Sequence, residues 1–482
     1  MKKLKKPTYK IFSFDDITLE MIYQNHLDLI RKGELSDNNP AWLNLSIGEY
    51  NQNNRKISKI IPRKFEMLEK YQFMIHLLIT KTFNTGHVDL PASYLRYMFG
   101  DYYSIMLHNL CSMGYFHRNE YYEKGEQVRR IHISKNNIIC RQKYDKGFEK
   151  YWNKYLKKKK QLSDDKLKRM YRNFGKLFID QNIHNLNQLK LNDESGARDY
   201  IQKNISDDYS KEKNLYVIDQ YCNGDISLYN IDKNNRIYSL LTNTNKNLRS
   251  YLNIKYILDI SNCHPLLFNK YIIDKYYISD FIISILYNIN TNILFNEKKY
   301  IYTQYVSNVF SKLLLDNNIQ VSELNGISID ELLYITLTSQ GRFWDFIMLD
   351  DRFDGVDKSE VKDKMFQEVF YSKTLGGNNM IYQEGFKNVF PNVFKMILDF
   401  RKKHRKGEKH LSHSMMQLES EIIHNTLRKL FELGYCVLNI HDAIVVLDVE
   451  QNIHLDLYEI IRIIQQELKN IGLYGKVKVE EI

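Results

Sequence analysis

The feature that most constrains the fold is a polar pair between two short apolar runs near the C-terminus. The runs Cys436–Ile440 and Ala443–Leu447 are rich in β-branched residues, and only His441 and Asp442 separate them. This pattern predicts two antiparallel strands that meet at a very tight turn. A turn selected for geometry alone favours Asn-Gly or Asp-Gly, because its central residues need positive φ. The His-Asp pair therefore indicates a requirement beyond turn geometry.

The composition favours a polyanionic partner. Lys and Arg number 69 against 58 Asp and Glu, a net charge of +11, and 36 Tyr and 24 Phe accompany them. Basic and aromatic residues together attract nucleic acids and stack on their bases. An A+T-rich coding sequence would enrich several of the same residue types, so composition alone leaves both explanations open. The five cysteines form no CxxC pair, which argues against a disulfide framework and a structural zinc site.

Nothing in the sequence predicts contact with a membrane. The first residues are charged but lack the apolar core of about 7 to 15 residues that a signal peptide needs. No apolar run reaches the length of about 18 residues required for a membrane span. We therefore expect a monomeric protein of the cytoplasm, which would be the bacterial host cytoplasm if a phage or plasmid encodes it. The length suits about three ordinary domains, or one large enzyme domain and a smaller one.

The N-terminal half predicts a small module followed by charged helices. Residues 1–60 show weak periodicity, and we assign them no role. Residues 61–140 predict three helices followed by a strand, a turn and a second strand, at Phe65–Phe83, Pro91–Phe99, Tyr102–Met113 and Tyr115–Ser134. This order is typical of a winged helix, whose third helix would read DNA while Lys124, Arg129 and Arg130 on the wing reach phosphates. A protein-binding module of the same shape is the alternative.

Residues 141–230 predict helices with a high density of charge. They include four consecutive lysines, Lys157–Lys160. Such a run is usually a solvated helix face, but it can also line a nucleic-acid duplex. The sequence alone does not decide between these two interpretations.

A carboxylate in the middle of the chain is the natural partner for Asp442. The strand predicted at Tyr256–Ile260 carries Asp259, and polar Ser261 and Asn262 follow it. A carboxylate at a strand end costs desolvation energy unless a cation or hydrogen-bond donors meet it. If Asp259 lies beside Asp442, the two carboxylates form a site for a hard cation such as Mg²⁺, which proteins often hold by one or two carboxylates plus substrate phosphates.

A helix between the two aspartates repeats its functional residues at a spacing of four. Lys358, Lys362, Phe366 and Phe370 share one face of a helix. Two cations followed by two aromatic rings would grip a nucleotide, with the cations on its triphosphate and the rings on its base and sugar. The alternative is an amphipathic helix whose phenylalanines lie in the core while its lysines face water.

In this order, the strand aspartate, the Lys-x3-Lys-x3-Phe-x3-Phe helix and the His-Asp hairpin resemble motifs A, B and C of the family-A polymerases. That family includes bacterial and phage DNA polymerases and the single-subunit phage RNA polymerases. The three motifs fall near residues 256–265, 357–377 and 436–447. Asn235-Arg236 and Leu248-Arg249 resemble the family's primer-template contacts, and Met416 to Ile423 resembles the helix before motif C that carries a Gln.

The resemblance implies an α/β (α+β) fold with the right-hand architecture of palm, fingers and thumb. Palm and fingers would occupy residues 231–482, and a helical thumb-like region would occupy residues 141–230. It further implies a role for each matching residue. Two Mg²⁺ ions, for which Mn²⁺ could substitute, would be bound by Asp259, Asp442 and the carbonyl of Ile260. The nucleotide would be bound by Lys358, Lys362, Phe366, Phe370 and His264, and Lys362 would also act as a catalytic acid. Primer and template would be bound by Arg236, Arg249, His441 and Gln417.

Several positions depart from the family pattern. His264 stands where the DNA polymerases have the Glu that blocks a ribose 2′-hydroxyl. Gln367 and Tyr371 replace glycines, and Lys358 replaces an Arg and so lacks its bidentate fork. Ala443 follows the His-Asp pair where the DNA enzymes have Glu. These departures leave the preferred sugar open.

The sequence as a whole predicts template-directed nucleotidyl transfer in phage or plasmid replication. DNA synthesis is favoured because His264 is bulky enough to act as a sugar gate. RNA or primer synthesis is the alternative within the family, since the stretch from Phe370 to Lys373 resembles the Tyr-Gly-Ser-Lys step of phage RNA polymerases. An alternative from another class is a non-catalytic replication initiator that binds DNA. Residues 1–230 lack the clustered acidic strand motifs of a proofreading exonuclease, so we expect no proofreading.

Overall fold

A computed structural model describes most of the chain as helices with small antiparallel sheets, in agreement with a mixed α+β fold. The residues form two compact units. The first unit is Met1–Gly175, Leu191–Asp225 and Asn243–Tyr251, and the second is Lys176–Lys190, Ile226–Thr242 and Leu252–Ile482. The structure describes residues 9–31, 69–83, 87–100, 103–118, 130–135, 137–143, 146–226, 228–295, 303–321, 324–371, 381–403, 407–452 and 454–482.

The described residues of the first unit form two small antiparallel sheets. One pairs β1 with β5, and the other has the strand order β2-β4-β3. The strands are β1 (Tyr9–Phe14), β2 (Val88–Asp89), β3 (Phe116–Arg118), β4 (Arg130–Ile133) and β5 (Ile138–Lys143). The pairing of β3 with β4 confirms the predicted hairpin. Its tip, with Lys124 and Arg129, lies outside the described residues, and Arg130 is exposed at the start of β4.

Helices are the other regular elements among the described residues of the first unit. They are Leu19–Arg31, residues 69–83, Ala92–Phe99, Tyr103–Ser112, Lys146–Phe174, Glu194–Asn204, Asp208–Cys222 and the 3-10 turn Lys246–Tyr251. The three helices predicted in residues 61–140 are confirmed where the structure describes them. Pro91 precedes its helix as the N-cap, a position where its missing N–H costs nothing. The core is rich in aromatic rings, among which Phe12, Phe73 and Phe148 surround buried His76.

A four-stranded antiparallel sheet lies at the centre of the second unit, with the strand order β11-β8-β10-β9. A separate hairpin pairs β6 with β7. The strands are β6 (Leu228–Ile231), β7 (Ile237–Ser239), β8 (Ile254–Ile260), β9 (Val437–Ile440), β10 (Ala443–Leu447) and β11 (Val477–Glu481). Every residue of β9 and β10 is buried, which explains why all of them except Asn439 are apolar and neither strand alternates between apolar and polar residues.

Helices cover this sheet and extend the second unit. They are Lys176–Gln188, Leu240–Asn243, Cys263–Tyr276, Asp280–Asn288, Thr303–Asp316, Ile329–Ser339, Phe343–Ile347, Lys358–Met365, Ile381–Val389, Pro391–Lys403, Gly407–Glu432 and Leu457–Asn470. Short 3-10 turns occur at Asn292–Phe295, Asp351–Phe353 and Glu450–Asn452, and a π-helical turn at Phe366–Phe370. Within the described part of the chain, every helix is too short or too polar to span a bilayer.

The predicted four-part division is finer than these two units, and it stays a prediction. The helix Lys176–Gln188 comes from the region predicted to be thumb-like, yet it belongs to the second unit. Asn185 on this helix donates a hydrogen bond of 2.9 Å to the carbonyl oxygen of Val437 in β9. This bond ties the helix to the edge of the central sheet.

Candidate functional site

Two neighbouring strands bring the predicted aspartates together. In the antiparallel pair of β8 and β10, Asp259 is the register partner of Ala443, the residue that follows Asp442. Asp442 and His441 form the turn that joins β9 to β10, and His441 has a φ of 53°. Positive φ is uncommon for a residue with a bulky side chain, and such strain clusters at functional sites. The strained turn thus matches the expectation that more than turn geometry selects His441.

Two neighbouring carboxylates raise the proton affinity of Asp442. Burial raises the pKa of Asp442 well above its ordinary range, and the charges of Asp259 and Glu419 raise it further. Asp442 is nevertheless half-buried, so solvent and ligands retain access to it. A cation bound beside these groups would favour their ionised forms.

The donor atoms at this point fit a hard divalent cation. Asp259 and Asp442 supply carboxylate oxygens, and Ile260 ends β8 with a backbone carbonyl next to Asp259. Among the described residues, no group of three or more His, Cys, Asp or Glu side chains is arranged to hold a metal ion. A site with two carboxylates would depend on substrate phosphates to complete its coordination, as Mg²⁺ sites commonly do.

Lys362 is the predicted cation that lies close to the aspartates. Burial lowers the pKa of its half-buried ammonium group, Lys358 lowers it further, and the carboxylate of Asp259 opposes both effects. Its ammonium group also lies 5.8 Å from the centre of the Trp344 ring. Lys358 is exposed and forms an ion pair with Asp345. The two lysines share a helix, but Lys362 is half-buried whereas Lys358 is exposed.

A third lysine near Asp259 has no counterpart in the sequence prediction. Lys478 in β11 is the register partner of Asp259, on the side opposite β10. Directly opposed residues of an antiparallel pair project from the same face of the sheet. Lys478 also contributes to the lowered pKa of Lys362. Two lysines, Lys362 and Lys478, therefore lie near Asp259.

The aromatic part of the helix differs from the predicted face. The α-helix Lys358–Met365 passes into the π-helical turn, where the Tyr371 N–H donates to the Phe366 carbonyl at 2.8 Å. The extra residue per turn stacks Phe366 on Tyr371, with ring centres 5.6 Å apart and planes 13° apart. Phe370 is 1% exposed and packs against Phe386. The Phe370 side chain therefore belongs to the core in this conformation, as in the alternative of an amphipathic helix, and its predicted contact with the nucleotide stays a prediction.

His264 lies in a network that connects four elements. Its Nε2 is 2.7 Å from Oε2 of Glu419 on the helix Gly407–Glu432. Arg236, which immediately precedes β7, forms an ion pair with the same carboxylate. The hydroxyl of Tyr371 contacts Nδ1 of His264. The predicted sugar gate is thus one member of a larger polar group.

Glu419 is a buried charge that its partners stabilise. Its side chain is 2% exposed. Burial alone would raise its pKa, but the hydrogen bond with His264 and the charge of Arg236 lower the pKa below the ordinary value. Arg236 responds in the opposite sense, because Glu419 raises its pKa against the effect of burial. The pair is therefore ionised at neutral pH.

The turn between β6 and β7 holds Arg236 in place. The Asp232 side chain accepts hydrogen bonds from the backbone N–H groups of Asn234, at 2.8 Å, and Arg236, at 3.0 Å. Asn235 occupies the left-handed region with a φ of 66°. Asn tolerates this conformation better than most residues. Asn234 also donates to the sulfur of Met416 on the helix that carries Glu419.

Three further residues were predicted to bind primer and template. His441 meets the ring of Tyr238 edge-on, with centres 5.9 Å apart. Gln417 is exposed two residues before Glu419. Arg249 lies in the 3-10 turn Lys246–Tyr251 of the first unit. The predicted roles of these residues in primer and template binding stay predictions.

A glycine supports the strand end that carries Asp259. The N–H of Ser261 donates to the Lys476 carbonyl at 2.9 Å, and the Lys476 N–H donates to the Ser339 carbonyl at 3.1 Å. Gly341 packs against this connection with a φ of +73°, and a Cβ placed on it would lie 2.9 Å from the Cβ of Ser261. Only glycine fits this position without moving Ser261.

Glu419, Tyr371 and Lys478 are the site residues that sequence reasoning missed. A signal did exist for Glu419, because it interrupts an apolar stripe with a spacing of four that continues at Leu411, Met415 and Ile423. A carboxylate at a buried position is rare unless it is paired.

No protein family matches the sequence, and no curated protein is detectably similar to it. The functional reading of the site therefore depends on its geometry and on the motifs themselves.

Proposed function

We propose that this protein is a template-directed nucleotidyltransferase that extends a nucleic acid primer with nucleoside triphosphates. The observation that carries the proposal is the convergence of Asp259 and Asp442 on neighbouring strands, with Lys362 beside Asp259. Two carboxylates and an adjacent cation suit a reaction in which negatively charged phosphates approach a hydroxyl nucleophile.

Each residue of this group would act on a different part of the reaction. Divalent cations held by Asp259, Asp442 and the Ile260 carbonyl would supply activation of the primer 3′-hydroxyl and neutralisation of the leaving pyrophosphate. Lys362 would place its ammonium group against the phosphates and donate a proton to pyrophosphate, which its lowered pKa favours. Lys358 would exchange its exposed ion pair with Asp345 for the outer phosphates of the nucleotide.

The architecture that goes with this proposal is a right hand. The sheet β11-β8-β10-β9 would be the palm, and the helix Lys358–Met365 with its π-helical turn would belong to the fingers. Charged helices in residues 141–230 would contribute a thumb-like region, and residues 61–140 a winged-helix-like module. The antiparallel sheet β11-β8-β10-β9 supports the assignment of the palm. The hairpin of β3 and β4, which follows helices in the chain, supports the assignment of the winged-helix-like module.

The proposed partner is DNA, and the first unit carries a surface suited to it. Along the helix Lys146–Phe174, Lys150, Lys154 and Lys158 recur at a spacing of four and therefore lie on one face. The ammonium groups of Lys154 and Lys158 lie 4.9 Å and 5.2 Å from the centre of the Tyr97 ring, and Tyr97 is 38% exposed. Cations around an exposed aromatic ring are typical of surfaces that follow a nucleic acid strand.

This surface also favours the second candidate function, a non-catalytic replication initiator that binds DNA. The two candidate functions differ in whether the site around Asp259 and Asp442 is catalytically active. DNA binding without nucleotide incorporation is the expectation for an initiator.

Primer extension tests the proposal. A labelled DNA hairpin is incubated with the full chain and Mg²⁺, in separate reactions with dNTPs and NTPs, and on an RNA template in parallel. Extension of the hairpin supports the polymerase, and the nucleotide used distinguishes DNA from RNA synthesis. Failure to incorporate either nucleotide on primed and unprimed templates, with DNA still bound, would support the initiator instead.

A further inference from the structure

The polar network around His264 has a member that cannot touch a nucleotide. We propose that Glu419 is a positioning residue for sugar selection, which acts by fixing the imidazole of His264 between itself and Tyr371. This inference rests on the proposed nucleotidyl transfer and concerns how the same site chooses between deoxyribose and ribose. It requires that His264 faces the sugar and that its orientation depends on Glu419.

Burial separates Glu419 from any substrate. Only 2% of its side chain is exposed, compared with 15% for His264 and 14% for Arg236. A ligand can therefore reach His264 but not the carboxylate behind it. Any influence of Glu419 on the choice of nucleotide must pass through these two partners.

The hydrogen bonds determine which nitrogen of His264 carries a proton. The ionised carboxylate of Glu419 can only accept, so Nε2 of His264 donates to it across 2.7 Å. Nδ1 of a neutral imidazole is then an acceptor, and the hydroxyl of Tyr371 donates to it. The contact of 3.1 Å between Nε2 of His264 and Nη2 of Arg236 joins two donors, which are held together because both reach the same oxygen of Glu419.

Aromatic packing fixes the remaining freedom of the imidazole. The His264 ring lies edge-on to Phe366 and to Tyr371, with 5.7 Å between ring centres in both pairs. Phe366 and Tyr371 are themselves stacked by the π-helical turn. The rings of His264, Phe366 and Tyr371 therefore pack as one group. The hydrogen bond between His264 and Glu419 connects this group to the helix Gly407–Glu432. The last side-chain torsion of a histidine is broad, so the ring could turn if this attachment were lost.

The network is not built for stability alone. Oε1 of Glu419 and Nε of Arg236 are buried atoms without a hydrogen-bond partner in the part of the chain that the structure describes. A buried ion pair with unsatisfied atoms contributes little net stability, and apolar replacements of such pairs are often neutral. Its presence beside the proposed nucleotide site points to a functional role.

Two variants break the network at its opposite ends. Glu419→Gln removes the charge and keeps the shape, and Tyr371→Phe removes the hydroxyl and keeps the ring stacked on Phe366. Glu421→Gln is the matched control, since Glu421 is exposed on the same helix. The measurement is the ratio of kcat/KM for a dNTP to that for the NTP with the same base, at saturating primer. We expect the ratio to move toward one by at least fivefold in both variants and to stay unchanged in the control.

The decisive comparison uses a background without the imidazole. In His264→Ala, the substitution Glu419→Gln should leave the sugar ratio unchanged, because the inference routes the influence of Glu419 through His264 and not through Arg236. A Glu419→Gln protein that melts like the wild type and keeps the wild-type ratio would overturn the inference, as would an equal shift in the His264→Ala background. If Glu419→Gln fails to fold, Glu419→Asp, which keeps the charge and shortens the side chain, replaces it in the same comparison, and a wild-type sugar ratio in a folded Glu419→Asp protein would overturn the inference.

The wild-type reaction separates this inference from the proposed function. Incorporation by the wild type with an unchanged ratio in the variants contradicts only the role of Glu419. Absence of incorporation with either nucleotide contradicts both.

Discussion

Asp259 lies directly opposite Ala443 in the antiparallel pair of β8 and β10. This register puts Asp259 beside the turn that holds Asp442. Because side chains alternate between the faces of a strand, a shift by one residue would turn Asp259 to the other face of the sheet. The apolar residues of β8 and β10 therefore do more than form a core, since they also set the position of the two carboxylates.

Lys362 should contribute more to the chemical step than Lys358. Lys362→Ala removes the half-buried cation next to Asp259, and we expect kcat to fall by roughly 10²-fold or more, the range for a lost general acid. Lys358→Ala removes an exposed cation and should mainly raise the KM for the nucleotide. Lys364→Ala, exposed on the same helix, serves as the control. Single-turnover kinetics measure both parameters, and equal losses of kcat in the Lys358 and Lys362 variants would contradict this division.

Gly341 should tolerate substitution less well than a glycine with the same backbone conformation in open space. Gly341→Ala forces a left-handed residue and a contact with Ser261, whereas Gly472→Ala has a φ of +79° and no atom within 4 Å of the new Cβ. The backbone cost is about 1–2 kcal/mol in both, and crowding at Gly341 adds about 1–3 kcal/mol. Urea denaturation gives the two free energies of unfolding. Equal losses would show that Ser261 moves aside freely.

Buried His76 should make the first unit sensitive to acid. Burial lowers its pKa to about 3, and its Nδ1 accepts a hydrogen bond of 3.2 Å from the Phe12 N–H. The unfolded chain binds a proton near the ordinary histidine pKa of about 6.5, so stability is lost as the pH falls below that value. Between pH 6.5 and pH 4 the loss is about 3 kcal/mol.

His76→Gln tests this assignment, since its amide oxygen can accept the same bond without titrating. Stability is compared between the wild type and the variant across this pH range. His424, whose pKa burial lowers to about 4, contributes equally to both proteins and cancels in the difference. Parallel stability curves for the two proteins would mean that His76 does not titrate on unfolding.

The lysine face of the helix Lys146–Phe174 should bind DNA through phosphates. A double change of Lys150 and Lys158 to Gln removes two charges, and we expect the slope of log K against log salt to weaken by up to about 0.9 per lost contact. The control is a double change of Lys203 and Lys270, each paired within its own helix to Asp199 or Asp274. Fluorescence anisotropy with labelled DNA measures both. A salt slope equal to that of the control would exclude this surface.

The elements predicted from local sequence patterns are the ones that the structure bears out. The strands around the His-Asp turn and the strand with Asp259 consist mainly of apolar residues, which carry their own signal. Their adjacency in one sheet was an inference from chemistry, since two carboxylates need a shared cation. The helices Ala92–Phe99 and Tyr103–Ser112 were predicted because Pro91 and Gly114 mark their limits.

What the sequence could not show depends on distant parts of the chain. The pairing of Lys478 with Asp259 depends on the position and register of β11, which no local pattern specifies. In the π-helical turn, buried Phe370 packs against Phe386 and Tyr371 packs against His264, and both partners come from other segments of the chain. A regular α-helix would put Phe370 on the same face as Lys358 and Lys362. The extra residue in the π-helical turn rotates Phe370 away from that face.

The most direct test of the proposed chemistry is the rate of single-nucleotide incorporation on a primed DNA template with Mg²⁺. The wild type is compared with Asp259→Asn, Asp442→Asn and Asp448→Asn, the last being an exposed aspartate that follows β10. We predict incorporation by the wild type and Asp448→Asn and a loss of at least 10³-fold in both site variants, roughly the size expected when the charge at a reacting centre is removed. Incorporation by Asp259→Asn and Asp442→Asn at the wild-type rate would contradict the proposed role of this site.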